Sequence, residues 1–254
     1  MKKTTFKSIC LVWLSCLLLD NAPVHAEIPF QLEQNDVVVF LGGANMVYLQ
    51  KAGFLESILT DQFAASSPTF RDLAWEADTV FQQGTVLERW RERAHFDEDG
   101  GLGDLNNQLQ RIGATVVISQ FGQSESLEGF EQLGAFSDAY STLIQSWLNK
   151  DRRVVLLTPT PFETSKKPRL PNLAENNRVL AKYVETIQQL ASRHDVGFVD
   201  LFHEPAGNTT LNGRHIIPEA QSMIASKIAN QLDIKSHSTV SFNALREAII
   251  EKHR

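Results

Sequence analysis

Apolar runs alternate along this chain with segments in which apolar residues recur at helical spacing. Four unbroken runs predict buried strands at 36–41, 114–120, 152–158 and 196–201, and a weaker pattern predicts another at 69–75. Strands that are apolar throughout are typical of a parallel sheet, because such a sheet is covered on both faces. The pattern therefore predicts an α/β protein in which about five parallel strands lie between two layers of helices.

The helices of the two outer layers are predicted from the spacing of their large apolar residues. A last helix against the sheet is predicted at 216–232, and the tail at 242–254 has similar spacing. The earlier helices are indicated by Leu55, Ile58 and Leu59; by Phe136, Tyr140, Leu143, Ile144 and Trp147; and by Leu180, Tyr183, Val184, Ile187 and Leu190. The proline-rich segment 158–171 predicts an irregular loop at the carboxyl end of a strand, where open sheets place ligand loops.

Residues 1–26 have the pattern of a secretory signal peptide. Three lysines precede an apolar stretch at 8–19, and the tripeptide VHA at 24–26 fits a cleavage site. The apolar stretch is shorter than a transmembrane helix requires. Both cysteines, Cys10 and Cys16, lie in this leader, so the mature protein is predicted to contain no disulfide. Cleavage near Ala26 predicts export to the periplasm or the extracellular space.

The remaining chain is long enough for one domain with a sizeable core, which we place at 27–234. A polar linker and a helical segment follow at 235–254. The formal net charge is −6 and the chain has no basic run, which argues against a nucleic-acid partner. No later apolar stretch is long enough to span a membrane. No motif indicates a metal or a cofactor.

Four short stretches each follow a predicted strand or open a helix at the same edge of the sheet. They are FLGGAN (40–45), DLAWEADT (72–79), FGQSES (121–126) and NGRHIIPE (212–219). In this order and spacing they resemble the four blocks of the SGNH, or GDSL-type, ester hydrolases, over residues 36–232. The resemblance is closest to a planctomycete-like branch with a GWSGDT-like second block and an NGIHLNE-like last block. It implies a three-layer α/β/α sandwich with a flavodoxin-like parallel sheet.

In the first block of that family, the sequence Gly-Asp-Ser supplies the nucleophilic serine. Here Gly42 matches the glycine, Gly43 replaces the aspartate and Ala44 replaces the serine. A methyl group has no lone pair with which to attack a carbonyl carbon. The resemblance therefore implies that the nucleophile is missing.

The other three blocks supply the oxyanion donors and the base of the family. Ala77 takes the place of the oxyanion glycine, and Ser124 takes the place of the oxyanion asparagine. Asn212 replaces the aspartate that orients the base, whereas His215 matches the base itself. An asparagine can orient a histidine, but it cannot stabilise an imidazolium by charge.

The resemblance thus implies an exported protein of the carbohydrate-ester or lipid-ester hydrolase lineage that is inactive as a serine hydrolase. A small ester or carbohydrate is the predicted ligand. One alternative is an active hydrolase with a rearranged site around His215, with Ser124 or Thr79 as a displaced nucleophile. Another is a non-enzymatic interaction module that docks through 242–254. Because chains of the branch continue past a segment like LREAIIEK (245–252), the resemblance also predicts a longer chain.

A few further residues allow two interpretations each. Asp78 and Glu125 could form a carboxylate–imidazole site with His215, or they could serve structure, Asp78 by capping a helix and Glu125 by pairing with a cation. Trp75 and Phe121 could stack on a sugar or an acyl group, although aromatics at strand ends are more often core residues. The acidic loop at 97–99 lacks the ligand alternation of known calcium loops, which favours a solvated loop.

Overall fold

The structure, a computed structural model, describes residues 30–81, 104–165, 167, 169–203, 207–234 and 240–253. Its centre is a five-stranded, fully parallel sheet with the order β2-β1-β3-β4-β5. The strands are β1 (Val37–Gly42), β2 (Thr69–Asp72), β3 (Val116–Gln120), β4 (Arg153–Leu157) and β5 (Gly197–Val199). The predicted strands are confirmed: β1 is shifted by one residue from its predicted bounds, and the other four are two or three residues shorter than predicted.

Helices cover both faces of the sheet, which confirms the predicted three-layer α/β/α sandwich. One layer contains α1, α2 and α6, and the other contains α3, α4 and α5. The helices are α1 (Ala44–Ala52), α2 (Phe54–Gln62), α3 (Leu105–Arg111), α4 (Leu133–Leu148), α5 (Asn177–His194), α6 (Pro218–Gln231) and α7 (Val240–Lys252).

The interior strand β1 contributes side chains to both halves of the core. Val38 and Phe40 belong to the apolar cluster under α1, α2 and α6, whereas Val39 and Leu41 belong to the cluster under α3, α4 and α5. This division follows from the alternation of side chains along a strand. Since all four side chains are fully buried, β1 reads as a continuous apolar run rather than as an alternating one.

The turn from β1 into α1 depends on glycine at position 42. Gly42 has a φ of +143°, and a Cβ atom there would lie 2.4 Å from the backbone oxygen of Gln120 on β3. Only glycine fits so close to a neighbouring backbone. Gly42 also pairs with Gln120 in the sheet register. The turn therefore places the first residues of α1 beside the loop that follows β3.

The C-terminal helix α7 packs against α2 of its own chain. The Arg246 guanidinium lies 4.0 Å from the centre of the Phe54 ring, and its Nε donates to the Ala52 carbonyl oxygen at 3.0 Å. The buried carboxylate of Glu56 is paired with Lys252 and, at 2.9 Å, with the His253 imidazole. The segment proposed above as a docking helix thus uses part of its surface within the chain.

Parts of the sequence-based interpretation fall on residues outside the described ranges. These are the leader 1–26, the acidic loop 97–99 and the linker 235–239. Within the described ranges, no helix combines the length and the apolar character that a membrane span needs.

If α7 is docked as described, Ile249→Ala should destabilise the protein. Ile249 is buried, so its truncation should lower the free energy of unfolding by about 2–4 kcal/mol. The exposed Glu247 on the same helix provides the control, because Glu247→Ala should change the stability by less than about 0.5 kcal/mol. Urea unfolding of both variants measures the difference. Equal effects would contradict the docking.

Candidate active site

A pocket that is open to solvent lies at the carboxyl edge of the sheet between the ends of β1 and β3. Its walls come from the β1–α1 turn, the loops after β2 and β3, and the loop at 207–217 that carries the histidine block. Ala44, Ser124 and Arg214 line it, together with Asp78. Open parallel sheets bind ligands at this edge. The structure thus brings Ala44 and Ser124, the residues that the resemblance aligns with the nucleophile and the oxyanion asparagine, into one pocket.

Asn45 joins three segments of the pocket through one side chain. Its Nδ2 donates to the Arg214 carbonyl oxygen at 3.2 Å and lies 3.3 Å from Gln123 Oε1. Its Oδ1 accepts from the Ile216 backbone N–H at 3.1 Å. The start of α1, the loop after β3 and the histidine block are therefore held together by this amide. Its position directly after Ala44 was visible in the sequence, but its partners, which are distant in sequence, were not.

The contact between Asn212 and His215 determines which imidazole nitrogen is protonated. Asn212 Oδ1 accepts the backbone N–H groups of Arg214, at 3.1 Å, and His215, at 2.8 Å. Its amide nitrogen must then face the ring, and it lies 3.2 Å from His215 Nδ1. An amide nitrogen can only donate, so Nδ1 accepts and the proton of the neutral ring lies on Nε2. This is the tautomer opposite to the one a general base requires.

The surroundings of His215 also disfavour its charged form. Burial lowers the pKa of the imidazole, and the neighbouring Arg214 charge lowers it further, whereas Glu76 has a weaker opposing effect. The ring packs edge-on against Tyr48, with the ring centres 5.8 Å apart. Tyr48 lies one helical turn after Ala44, so the histidine rests on the face of α1 that begins at the pocket.

Arg214 reaches into the pocket and contacts Ser124. Its Nη2 donates to Ser124 Oγ at 2.6 Å, and its Nε donates to Gln123 Oε1 at 3.4 Å. A guanidinium cannot accept a proton, so this contact does not activate the serine as a nucleophile. The sequence analysis did not single out Arg214. The signal was present, because the resembling branch has isoleucine at this position of the NGIHLNE block.

Ala77 keeps a backbone conformation that favours glycine. Its φ is +64°, in the left-handed region that residues with a Cβ seldom adopt. The resemblance aligns this position with the oxyanion glycine of the family. The left-handed backbone at Ala77 is the conformation that a glycine would adopt without strain.

Glu125 connects the loops after β2 and β3. Its carboxylate accepts the Val80 N–H at 3.0 Å and the Gly122 N–H at 2.9 Å. Burial raises the pKa of this carboxyl above its usual value, even though the backbone hydrogen bonds act in the opposite direction. Glu125 therefore has a structural role, with backbone amides as partners in place of the expected cation. Asp78 Oδ1 likewise accepts a backbone N–H, that of Thr79, at 3.0 Å.

The proline-rich loop after β4 holds the histidine block in place through Glu163. This carboxylate accepts four hydrogen bonds of 2.6–2.9 Å, from the backbone N–H and the hydroxyl of both Thr209 and Thr210. Gly213, with a φ of +81°, passes so close that a Cβ atom there would lie 2.3 Å from the Glu163 carbonyl oxygen. This loop was predicted to contact a ligand, and we find that it supports the loop that carries His215.

The two aromatic candidates differ in their surroundings. Phe121 is 2% exposed and its ring centre lies 5.5 Å from that of Tyr140, which confirms the core interpretation, although it also forms part of the pocket wall. Trp75 is 51% exposed on the loop after β2, so the core interpretation is wrong for this residue.

A carboxylate–imidazole pair that the sequence analysis did not identify follows β5. Asp200 Oδ2 lies 2.6 Å from His203 Nδ1, and Asp200 Oδ1 accepts the Phe202 N–H at 2.8 Å. The Asp-x-x-His spacing at 200–203 was the available signal. Neither residue lines the pocket. In the described part of the chain, no group of three or more His, Cys, Asp or Glu side chains could hold a metal ion.

The fold is similar to that of several solved ester hydrolases. A GDSL-like lipase from Parabacteroides merdae matches with a TM-score of 0.60 and 13% identity, over 82% of this chain and 100% of that one. An acetylxylan esterase from Geobacillus stearothermophilus matches with a TM-score of 0.60 and 12% identity, over 83% of this chain and 100% of that one. It was solved as a catalytic mutant in which a serine is replaced by alanine. An α/β hydrolase from the Lake Arreo metagenome matches with a TM-score of 0.59 and 12% identity, over 80% of this chain and 97% of that one.

These likenesses confirm the predicted fold. At such low identities they show the α/β/α fold of the GDSL-like, or SGNH, hydrolases, across nearly the whole length of the solved proteins. No protein-family model matches the sequence, and the search of curated proteins finds no match.

The contact between Glu163 and the two threonines should make the protein sensitive to acid. Burial opposes ionisation of Glu163, but the hydrogen bonds from Thr210 and Thr209 together hold its pKa below the ordinary value of 4.5. A lowered pKa means that the stabilisation is complete above the pH at which the unfolded carboxyl titrates and is lost as the pH falls through the folded value. Glu163→Gln should therefore cost about 1–3 kcal/mol at neutral pH, because an amide cannot accept all the hydrogen bonds.

Urea unfolding at neutral pH and at several pH values below 4.5 tests this expectation. The difference between the wild type and Glu163→Gln should shrink as the pH falls. Glu175→Gln, on an exposed residue, is the matched control and should have little effect at any pH. A difference between wild type and Glu163→Gln that is independent of pH would contradict the role assigned to the carboxylate.

Proposed function

We propose that this protein is a catalytically silent member of the ester hydrolase lineage, which keeps the pocket of an esterase and binds a small ester or carbohydrate ligand there. The observation that carries the proposal is the Asn212–His215 contact beside a turn that bears Ala44. The resemblance of the four sequence blocks and the fold shared with lipase and acetylxylan esterase structures support the lineage. The predicted leader supports a role outside the cytoplasm.

The position that the resemblance assigns to the nucleophile has no nucleophilic atom. Ala44 is the first residue of α1 and lines the pocket. Acyl transfer through a covalent intermediate needs an oxygen or sulfur at that point. The alternative nucleophile Ser124 accepts a hydrogen bond from Arg214, which has no basic lone pair to receive its proton.

The position of the base is also unfavourable for catalysis, independently of the missing nucleophile. A catalytic imidazole carries its proton on Nδ1, where the N–H donates a hydrogen bond to a carboxylate. It accepts the nucleophile's proton on Nε2. In this protein the amide of Asn212 faces Nδ1, so the neutral ring has Nε2 protonated. The same amide would oppose the imidazolium that a base must become, because two N–H donors would then face each other. Restoring a serine alone would leave this defect in place.

Ligand binding is supported by what the pocket has kept. It remains open and is lined by groups that can donate or accept hydrogen bonds, among them Gln120, Gln123 and Asp78. A small number of placed polar groups in a concave site is the usual composition of a ligand pocket. The structural neighbours include acetylxylan esterases, which supports a small acylated carbohydrate as the ligand class.

The purified protein should not hydrolyse p-nitrophenyl acetate or acetylated xylan faster than its His215→Ala variant does. An exposed imidazole can hydrolyse activated esters without a pocket, so His203→Ala serves as the control for background from the Asp200–His203 pair. Release of p-nitrophenol and of acetate measures the rates. Turnover that is lost in His215→Ala or in Ser124→Ala, but kept in His203→Ala, would overturn the silent assignment and support a rearranged active site.

A further inference from the structure

We propose that the ligand of this pocket is a small carboxylate bound by Arg214, so that the site holds an acid of the kind that ester hydrolysis releases. This inference rests on the proposed function, since it names the ligand class of the same pocket. It is carried by the charge of Arg214 and by the methyl group of Ala44, both of which line the pocket.

Among the residues that the structure describes, no carboxylate forms an ion pair with the Arg214 guanidinium, although the charge of Glu125 acts on it from further away. The guanidinium is half-buried, and within the described residues its hydrogen bonds go to the neutral oxygens of Ser124 and Gln123. No carboxylate of the described chain lies within 4.0 Å of it. A guanidinium has five N–H donors, so donors remain for a ligand. Two parallel hydrogen bonds to a carboxylate are the arrangement that a guanidinium forms best.

The substitution of the nucleophile leaves room for one carboxylate oxygen. An active esterase places its hydroxyl oxygen on the first residue of the helix, whereas Ala44 presents only a methyl group to the same pocket. An oxygen of the ligand can therefore lie where the nucleophile's oxygen would be. Because Ser124 Oγ accepts its hydrogen bond from Arg214, its own hydrogen is left to donate to the ligand.

The acidic residues of the pocket limit how much negative charge it can accept. The two carboxylate oxygens of Glu125 accept hydrogen bonds from the Val80 and Gly122 backbone amides. Burial lowers the pKa of Arg214, whereas the charge of Glu125, which acts without a direct contact, favours the protonated guanidinium by raising that pKa. Asp78 also lines the pocket and would repel an anion. Two carboxylates and one cation line the pocket, so a phosphate dianion would be repelled more strongly than a singly charged carboxylate.

Titration of acetate into the purified protein tests the inference, with the shifts of backbone amide NMR signals as the readout and sodium chloride holding the ionic strength constant. Acetate should bind, whereas acetamide, which has the same shape without the charge, should bind at least about tenfold more weakly. Arg214→Leu should weaken acetate binding by a similar factor. Arg178→Leu is the matched control, because Arg178 is exposed and stacks on Phe130 away from the pocket, and this change should have no effect.

Asp78→Asn keeps the test decisive if Arg214→Leu fails to fold, because it should change affinity in the opposite direction. Removing this repulsive charge should strengthen acetate binding several-fold. Equal binding of acetate and acetamide, or acetate binding that is unchanged in Arg214→Leu and in Asp78→Asn, would overturn the inference. An acetylated xylo-oligosaccharide that binds at the pocket while acetate does not would overturn the inference and leave the proposed function standing. Failure of both ligands to bind would remove both proposals.

Discussion

The site depends on the side chain of Asn45, whose amide connects the β1–α1 turn to two of the other three segments that form the pocket. The loop after β3 and the histidine block lie far from Asn45 in sequence, and each contributes a partner to this amide. Close contact between the strands sets the turn itself, since Gly42 leaves no room for a side chain beside Gln120. These constraints fix the relative positions of Ala44, Ser124 and His215 without requiring that any of them be reactive.

Under the proposed function, an esterase-like pocket persists without esterase chemistry. The left-handed conformation of Ala77 and the close approach at Gly42 are backbone features that favour glycine, at positions that the resemblance aligns with the family blocks. At His215, the amide of Asn212 contacts the ring without supplying a charge. Arg214 places a cation beside Ser124, the residue that the resemblance aligns with the oxyanion asparagine. We propose that such a site binds a stable ligand rather than turning one over.

Much of the fold could be predicted from the sequence, because it depends on local apolar pattern. The strands and most of the helices follow from runs such as 36–41, and the carboxyl edge follows from their parallel order. The joint position of Ala44 and Ser124 could be predicted from the resembling blocks alone. The partners of individual side chains could not be predicted, since they lie in segments that are distant in sequence. Examples are the backbone amides that Glu125 binds and the threonines that Glu163 binds. The exposure of Trp75 could not be predicted either.

The tautomer of His215 tests the proposed loss of catalysis most directly, because a triad-type base must accept the nucleophile's proton on an unprotonated Nε2. Nitrogen-15 NMR of the histidine side chains, with His215→Gln used to assign its signals, reports which ring nitrogen carries the proton. We predict that the His215 ring is neutral at neutral pH, with the proton on Nε2 and with Nδ1 unprotonated. A proton on Nδ1 with Nε2 free, or an imidazolium at neutral pH, would contradict it.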